Sequence, residues 1–302
     1  MAAIAARSSE IVGQDTGNST TRTIFRLVAY GVLIAFALAM IMPFIYAIAN
    51  SFKTKPDIAD YPQHLLPITA NFSFTTEAYQ WVLTSQQSAF PRWTFNSAFI
   101  ALVTTVSHVI LDSMAGYALA RLKFPGKRAV FIGMLGTMMI PGIVLLVPRF
   151  IVLKSLGMTG TYQGLIVPAM VDVFGIFMMK QFFETIPREI EEAAFVDGAN
   201  RFLLFFRIVL PMATPALAAL AIFGFQGSWN AFLDPLIVVI NNRDLYTLPL
   251  GLAILRGAQG NTLEWDVFFA SSVITTLPMA LIFFSFQRYF VEGINYSGLA
   301  GQ

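Results

Sequence analysis

The sequence predicts an all-α, polytopic membrane protein with six transmembrane helices. Hydrophobic residues occupy 56% of the 302 positions, charged residues only 12%, and the mean hydropathy of +0.67 is well above that of soluble domains. The charges gather between apolar stretches that approach the roughly 20 residues needed to cross a bilayer. A formal net charge of +2 indicates no basic surface, so no nucleic-acid partner is expected.

Six spans are predicted within one transmembrane domain, residues 24–302, after a tail at residues 1–23 whose Ser, Thr, Gly and Asn content predicts disorder. The spans cover about residues 27–52, 94–120, 129–148, 161–182, 208–240 and 267–288. The second and fourth stretches contain the carboxylates Asp112 and Asp172. A lone carboxylate is compatible with a span when protein or a water-filled cavity solvates it, so both stretches are retained.

The distribution of Lys and Arg predicts that both chain termini are cytoplasmic. With that orientation, 12 of the 19 basic residues lie in cytoplasmic segments and seven in outer segments. The first apolar run is longer than the core of a cleaved signal peptide, so it is expected to remain as a span.

One predicted cytoplasmic segment, residues 187–211, is unlike the apolar stretches on either side. Pro187 and the carboxylates that follow it favour a helix start. Asp197-Gly198 predicts a turn, and apolar residues three or four apart then predict a second, amphipathic helix. The residues alone leave two interpretations open: an ordinary loop with solvated charges, or a projection that fits a groove in another protein.

The residue order of this segment resembles the EAA motif of permeases in binding-protein-dependent ABC importers. Glu192-Ala193-Ala194 and Asp197-Gly198-Ala199 carry the match, followed by Leu210-Pro211. Further similarities are found in the stretches "NSAFIALVTT", "GYALARLKFPGK", "SWNAFLDPLIV", "YTLPLGLA" and "QRYFVEGI". Together they are similar to the carbohydrate-uptake branch, and within it to the smaller permease of maltose-type importers.

The resemblance implies a transport subunit of a bacterial cytoplasmic (inner) membrane that imports a sugar or sugar derivative by alternating access. The EAA segment would be a coupling helix that docks on an ATPase through Glu192, Ala193, Ala194, Asp197, Gly198 and Ala199. The chain contains no G-x-x-x-x-G-K-[ST] loop, so no catalytic residue, cofactor or metal is assigned to it. ATP and Mg would be bound by the partner ATPase.

The implied partners are a second homologous permease, a cytoplasmic ATPase dimer, an extracytoplasmic solute-binding protein and membrane lipid. The resemblance also places a contact loop for the binding protein in residues 241–266. Its candidate residues are Tyr246, Leu248, Leu250, Gly251 and Gln259.

Candidate residues of the substrate pathway are the polar and aromatic side chains within predicted spans: Gln226, Trp229, Asn230, Asp112 and Asp172. Polar groups in a membrane helix usually face the bundle interior, where they bind substrate or contact neighbouring helices. Both interpretations stay open for Trp229, which can stack on a sugar or pack between helices. An ion-coupled secondary transporter that uses Asp112 and Asp172 is the alternative function. A membrane-embedded enzyme has little support, because the chain has two histidines and no cysteine.

Overall fold

The computed structural model describes residues 19–60, 74–85, 88–258 and 264–298, and within these ranges the chain forms helices and turns without strands. The helices, in chain order, are α1 (Ser19–Ser51), α2 (Lys55–Asp60), α3 (Glu77–Thr84), α4 (Phe90–Ser107), α5 (Ser113–Arg121), α6 (Lys127–Met138), α7 (Leu146–Ser155), α8 (Tyr162–Ile166), α9 (Val173–Thr185), α10 (Arg188–Val196), α11 (Arg201–Leu204), α12 (Leu210–Met212), α13 (Thr214–Trp229), α14 (Leu233–Val239), α15 (Leu248–Ala258) and α16 (Trp265–Gly298). A π-helical turn, His108–Asp112, joins α4 to α5, and a second, Phe205–Val209, joins α11 to α12.

Four helical stretches are long and apolar enough to cross a membrane: Thr23–Ser51, Phe90–Arg121, Tyr162–Thr185 and Trp265–Phe286. Two bent helix pairs raise the number to six if each pair forms one span. The predicted fold class, an all-α polytopic membrane protein, is confirmed.

Two of the predicted spans are interrupted by prolines. Within the range 129–148, α6 ends at Met138 and the chain turns by 94°. Pro141 lies at this bend, where it supplies no backbone N–H and disfavours a helical conformation of the residue before it. Within the range 208–240 the chain bends by 82° before α13, next to Pro211 and Pro215.

Helix α1 begins at Ser19, so the end of the predicted tail is helical, while residues 1–18 lie outside the described residues. Large apolar side chains along α1 are exposed in the isolated chain, from Ile24 to Ile48. An apolar helix surface of this length suits lipid or another membrane helix.

Close packing of α5 on α9 joins the second and fourth spans. A Cβ atom added to Gly116 of α5 would lie only 2.8 Å from the Cβ of Met179 and 2.9 Å from the backbone nitrogen of Lys180. Glycine therefore lets the two backbones approach more closely than any other residue allows. Near this contact, the rings of Tyr117, Phe183 and Phe205 pack together at centroid distances of 5.0–6.2 Å. This aromatic cluster marks the α10 end of the bundle.

At the other end of the bundle, α4 holds the chain segment that leads into α15. The amide of Asn96 donates hydrogen bonds of 2.8 Å to the carbonyls of Asp244 and Tyr246. The hydroxyl of Tyr162 donates to Asn96 Oδ1 at 2.6 Å. The backbone N–H of Leu248 donates to the Ser97 hydroxyl at 2.8 Å. We refer to this region as the α15 end.

Candidate functional site

Helix α10 and the turn after it contain the residues that resemble the EAA motif, and the turn includes a left-handed glycine. Gly198 has φ of +83°, and its N–H donates to the carbonyl of Phe195 at 3.1 Å. The next N–H, from Ala199, returns to the carbonyl of Ala194 at 2.9 Å. This pair of bonds is the Schellman arrangement that satisfies the last carbonyls of a helix. The predicted turn at Asp197-Gly198 is confirmed, and it needs the φ that glycine adopts without strain.

The next helix begins directly after this turn. The side chain of Asn200 accepts a hydrogen bond from the backbone N–H of Leu203 at 2.9 Å, which caps α11. The two short helices are therefore joined by only a few residues, and the N–H groups of Asp197, Gly198 and Ala199 all donate to carbonyls of α10. Such a connection can move as one body with the helices.

The six motif residues divide between two faces of this segment. Glu192, Ala193, Asp197 and Gly198 are exposed, whereas Ala194 is buried and Ala199 is half-buried. The exposed face also carries Val196, whose accessible fraction is 88%. We term the exposed face, Glu192, Ala193, Val196, Asp197 and Gly198, the coupling surface.

An ion pair that the sequence reasoning did not identify fastens α10 to the spans. Arg121 Nε lies 2.9 Å from Glu191 Oε1, and the two side chains are only 6% and 12% exposed. The same guanidinium donates to the carbonyl of Phe183 at 2.6 Å and to that of Ile186. One arginine at the end of the second span therefore binds both the end of α9 and the start of α10.

A hydroxyl also contacts this ion pair, because Tyr117 donates to Glu191 Oε2 at 3.5 Å. The sequence contained one indication of the buried carboxylate. Glu191 lies three residues before Ala194, so both residues share the inner face of α10. Its partner could not be found from spacing, since Arg121 is 70 positions earlier in the printed sequence.

The two carboxylates of the predicted pathway are adjacent in space. Asp112 is fully buried, and its Oδ1 accepts a hydrogen bond from the backbone N–H of Asp172 at 3.1 Å. Asp172 in turn accepts from the N–H of Gly175 at 3.1 Å and caps α9. Both groups thus stabilise the break before α9, where a chain crossing the membrane leaves backbone N–H groups without helical partners.

His108 completes this cluster. Its Nε2 is 2.7 Å from the carbonyl of Ala169, and its Nδ1 is 4.0 Å from Asp112 Oδ2. A Cβ atom on Gly224 of α13 would lie 2.9 Å from the same ring, so the imidazole fills the space between α13 and the 169–172 turn. These contacts join both His108 and Asp112 to neighbouring groups of the chain.

Trp229 packs between helices. Its side chain is 3% exposed, its indole N–H donates to the carbonyl of Thr275 at 3.2 Å, and its ring stacks on Phe225 with centroids 5.5 Å apart. Gln226 and Asn230, its polar neighbours, are exposed and lie outside the cavity described next. Of the five predicted pathway residues, only Asp172 lines that cavity.

A cavity of about 460 Å³ lies among the second, fourth and fifth spans. This volume falls within the roughly 300–1,000 Å³ that is usual for small-molecule sites. The side chains that give it chemical character are His108, Arg149, Asp172, Ser228, Asp234 and Thr247, together with the rings of Phe174 and Phe223. Sequence reasoning missed Arg149 and Asp234, which lie on different helices and become neighbours only in the folded chain.

The residues predicted to contact a binding protein are mostly interior. Tyr246, Leu248, Leu250 and Gly251 are all buried, and a Cβ atom on Gly251 would lie 2.3 Å from the ring of Trp93. Gln259 lies outside the described residues. Arg243 and Asp244, just before these positions, are exposed and offer charged side chains to a partner.

Within the described ranges, no group of three or more His, Asp or Glu side chains is placed so that it could hold a metal ion.

Comparisons with known proteins agree with this architecture. Residues 112–296, more than half of the chain, match the family described as "Binding-protein-dependent transport system inner membrane component". The arabinooligosaccharides transport system permease protein AraQ of Halalkalibacterium halodurans is 40% identical over 209 residues, covering 69% of this chain and 74% of AraQ. The trehalose/maltose transport system permease protein MalG of Thermococcus litoralis is 32% identical over 271 residues, covering 89% of this chain and 95% of MalG.

A solved structure has the same fold. The crystal structure of a bacterial ABC transporter involved in the import of the acidic polysaccharide alginate contains a chain that aligns with a TM-score of 0.79 and 24% identity. The alignment covers 90% of this chain and 98% of that chain. The relatives are named as permeases of transport systems, which supports the binding-protein-dependent importer and not the alternative, an ion-coupled secondary transporter. This chain belongs to the family of inner-membrane components of binding-protein-dependent transport systems, as the EAA motif predicted.

Proposed function

We propose that this chain is one of two permease subunits in an ATP-driven importer for a sugar or sugar derivative. It pairs with a second homologous permease, receives substrate from an extracytoplasmic solute-binding protein and docks on a cytoplasmic ATPase dimer that binds ATP and Mg. The family membership and the names of the relatives support this proposal, since AraQ and MalG are named as permeases for arabinooligosaccharides and for trehalose or maltose.

The observation that carries the proposal is the geometry of α10. Four of the six motif residues on α10 and its C-terminal turn are exposed, and they lie beside the apolar side chain of Val196. A small, rigid, partly apolar surface of this kind suits a helix that inserts into a groove of another protein. The groove belongs to the ATPase in this proposal, which places the α10 end and both termini in the cytoplasm.

Arg121 provides the connection through which movement of α10 reaches the spans. Its guanidinium binds Glu191 of α10 and two carbonyls at the end of α9, while its own helix continues back to the cavity wall at His108. Closure of the ATPase dimer would displace α10, and the second and fourth spans would move with it. Alternating access then follows as rigid-body motion of packed helices around the cavity.

The binding protein docks at the α15 end in this arrangement. Asn96 and Ser97 hold the 244–248 backbone, so the exposed side chains of Arg243 and Asp244 are presented from a fixed position. The buried residues Tyr246, Leu248 and Leu250 would support this surface from behind.

The test is to replace Gly198 by aspartate in the complex of two permeases and ATPase, reconstituted in lipid discs. The added Cβ meets nothing within 4 Å in this chain, so the variant should fold, but it adds a charged side chain and a strained backbone to the coupling surface. We expect Gly198→Asp to abolish copurification of the ATPase or stimulation of ATP hydrolysis by the binding protein.

Gly157→Asp is the matched control. Gly157 is also exposed, has φ of +68° and has no atom within 4 Å of an added Cβ, but lies after α7, far from α10 along the chain. It should retain association and stimulation. If Gly198→Asp kept full association, stimulation and uptake, α10 would not be the ATPase contact.

A further inference from the structure

We propose that the cavity of this subunit binds a neutral oligosaccharide, with the Arg149–Asp234 ion pair as the hydroxyl-binding group and Phe174 and Phe223 as the ring platform. The inference rests on the proposed function and narrows its substrate class. It is carried by three features of the cavity wall: an accessible ion pair, a pair of exposed aromatic rings and an excess of negative charge.

The ion pair presents a donor and an acceptor side by side. Arg149 Nη1 donates to Asp234 Oδ1 at 2.7 Å, yet both side chains remain substantially exposed at 37% and 45%. Each guanidinium has five N–H donors and each carboxylate accepts at two oxygens, so one mutual bond leaves donors and acceptors free. Adjacent sugar hydroxyls, which both donate and accept, match such a pair without breaking it.

Two aromatic rings also line the cavity. Phe174 and Phe223 contact each other edge to face at a centroid distance of 5.7 Å and an angle of 85°, and both are exposed. An exposed ring offers its electron-rich face to the C–H groups of a pyranose. Because Trp229 is buried, these two phenylalanines are the rings proposed to stack on the sugar.

One polar group on the wall has no partner within the described part of the chain. The Oγ1 atom of Thr247 is buried and makes no hydrogen bond there, although Thr247 lines the cavity. A buried hydroxyl without a partner is costly unless a ligand or water satisfies it. A rotation of the Thr247 side chain toward the cavity would let a sugar hydroxyl supply the missing bond.

The charge of the wall selects against acidic sugars. Asp172 and Asp234 contribute two carboxylates against the single guanidinium of Arg149. A uronate would have to compete with Asp234 for Arg149 and then lie near two like charges, which is unfavourable in a site with few other cations. A neutral sugar meets no such penalty.

The experiment measures ATP-dependent uptake into proteoliposomes that contain the complete complex and its binding protein. Labelled maltotriose, cellotriose, arabinotriose and galactotriose serve as neutral probes, with trigalacturonate and trimannuronate as acidic probes. We expect uptake of at least one neutral probe and of neither acidic probe. Uptake of acidic probes alone would overturn the inference and leave the proposed function intact, whereas no ATP-dependent uptake of any probe would count against the sugar transport proposal itself.

Asp234→Asn then tests the site on the accepted probe. We expect kcat/KM for uptake to fall about tenfold, because hydrogen bonds to a charged group are lost. Glu184→Gln is the matched control: Glu184 is 43% exposed, accepts from Lys180 at 2.8 Å, and lies outside the cavity. Glu184→Gln should keep uptake within about twofold of wild type. Stimulated ATP hydrolysis should stay within about twofold of wild type in both variants.

The double variant Phe174→Leu/Phe223→Leu covers the case in which Asp234→Asn fails to assemble. It leaves no charge unpaired, and we expect KM for the neutral probe to rise about fivefold with loss of the aromatic contact. Unchanged kcat/KM in an assembled Asp234→Asn complex, or unchanged KM in the double variant, would overturn the proposal.

Discussion

The α10 end and the α15 end both carry segments that resemble contact regions of known permeases, yet they differ in which residues they expose. At the α10 end, Glu192, Ala193, Asp197 and Gly198 are accessible. At the α15 end, Tyr246, Leu248, Leu250 and Gly251 are interior and pack against α4 or its neighbours. A motif match therefore locates a segment, but it does not distinguish residues that contact a partner from residues that position the segment.

The strongest test of this difference is to remove the ion pair beneath α10. Arg121→Ala leaves the buried carboxylate of Glu191 uncompensated, and breaking a buried pair by removing one partner costs roughly 3–5 kcal/mol. We expect the purified complex to lose thermal stability and uptake. The measurement is heat-induced aggregation in lipid discs, with Arg128→Ala as the control at an exposed arginine of the same end.

The double replacement Arg121→Met/Glu191→Met separates charge from geometry. Apolar residues of similar volume should recover much of the stability, because no buried charge is left unpaired. Uptake should stay low if the ion pair orients α10 for coupling. Full recovery of uptake would show that the pair only stabilises the fold.

Gly251→Ala is expected to have the next largest effect. An added Cβ would lie 2.3 Å from the Trp93 ring, and overpacking of this kind typically costs about 1–3 kcal/mol. Thermal stability should fall, while binding-protein stimulation per assembled complex should be unchanged. If the variant instead lost stimulation by the binding protein while keeping its stability, Gly251 would contact the binding protein directly. The contrast between exposed residues at the α10 end and buried residues at the α15 end would then be wrong.

Trp229→Phe is a smaller change at the α15 end. The substitution keeps an aromatic ring against Phe225 but removes the N–H that donates to Thr275, a bond worth about 1 kcal/mol. We expect a lower yield of assembled complex on a native gel and an unchanged KM for uptake. A raised KM with normal yield would indicate that the indole contacts substrate.

The smallest effect is expected for Glu192→Gln on the coupling surface. Exposed ion pairs contribute about 0.2–1 kcal/mol, so the affinity for the ATPase should fall by at most about fivefold. Stability of the permease should not change, in contrast to the loss expected when the neighbouring Glu191 is unpaired. The affinity is measured by titrating ATPase onto permease pairs in lipid discs at two salt concentrations, since salt should reduce the difference.

Local features of the chain were readable from the sequence. The apolar lengths predicted membrane helices, and Asp197-Gly198 predicted the turn at which Gly198 has φ of +83°. The EAA spacing predicted the family that residues 112–296 match. Each of these depends on residues within one or two helical turns or within one contiguous stretch, so the order of residues is enough to specify them.

Only the tertiary structure decided which side of each helix meets a neighbouring helix and which distant residues form pairs. Asp172 was expected in the pathway and lines the cavity, but Trp229 is buried, with its ring stacked on Phe225 and its N–H bonded to the carbonyl of Thr275. Arg149 meets Asp234 across 85 positions, and Arg121 meets Glu191 in the same way. Along an apolar helix every side is compatible with the membrane, so hydropathy carries no information about which side meets a neighbouring helix. Which charges become partners is determined by how the spans pack.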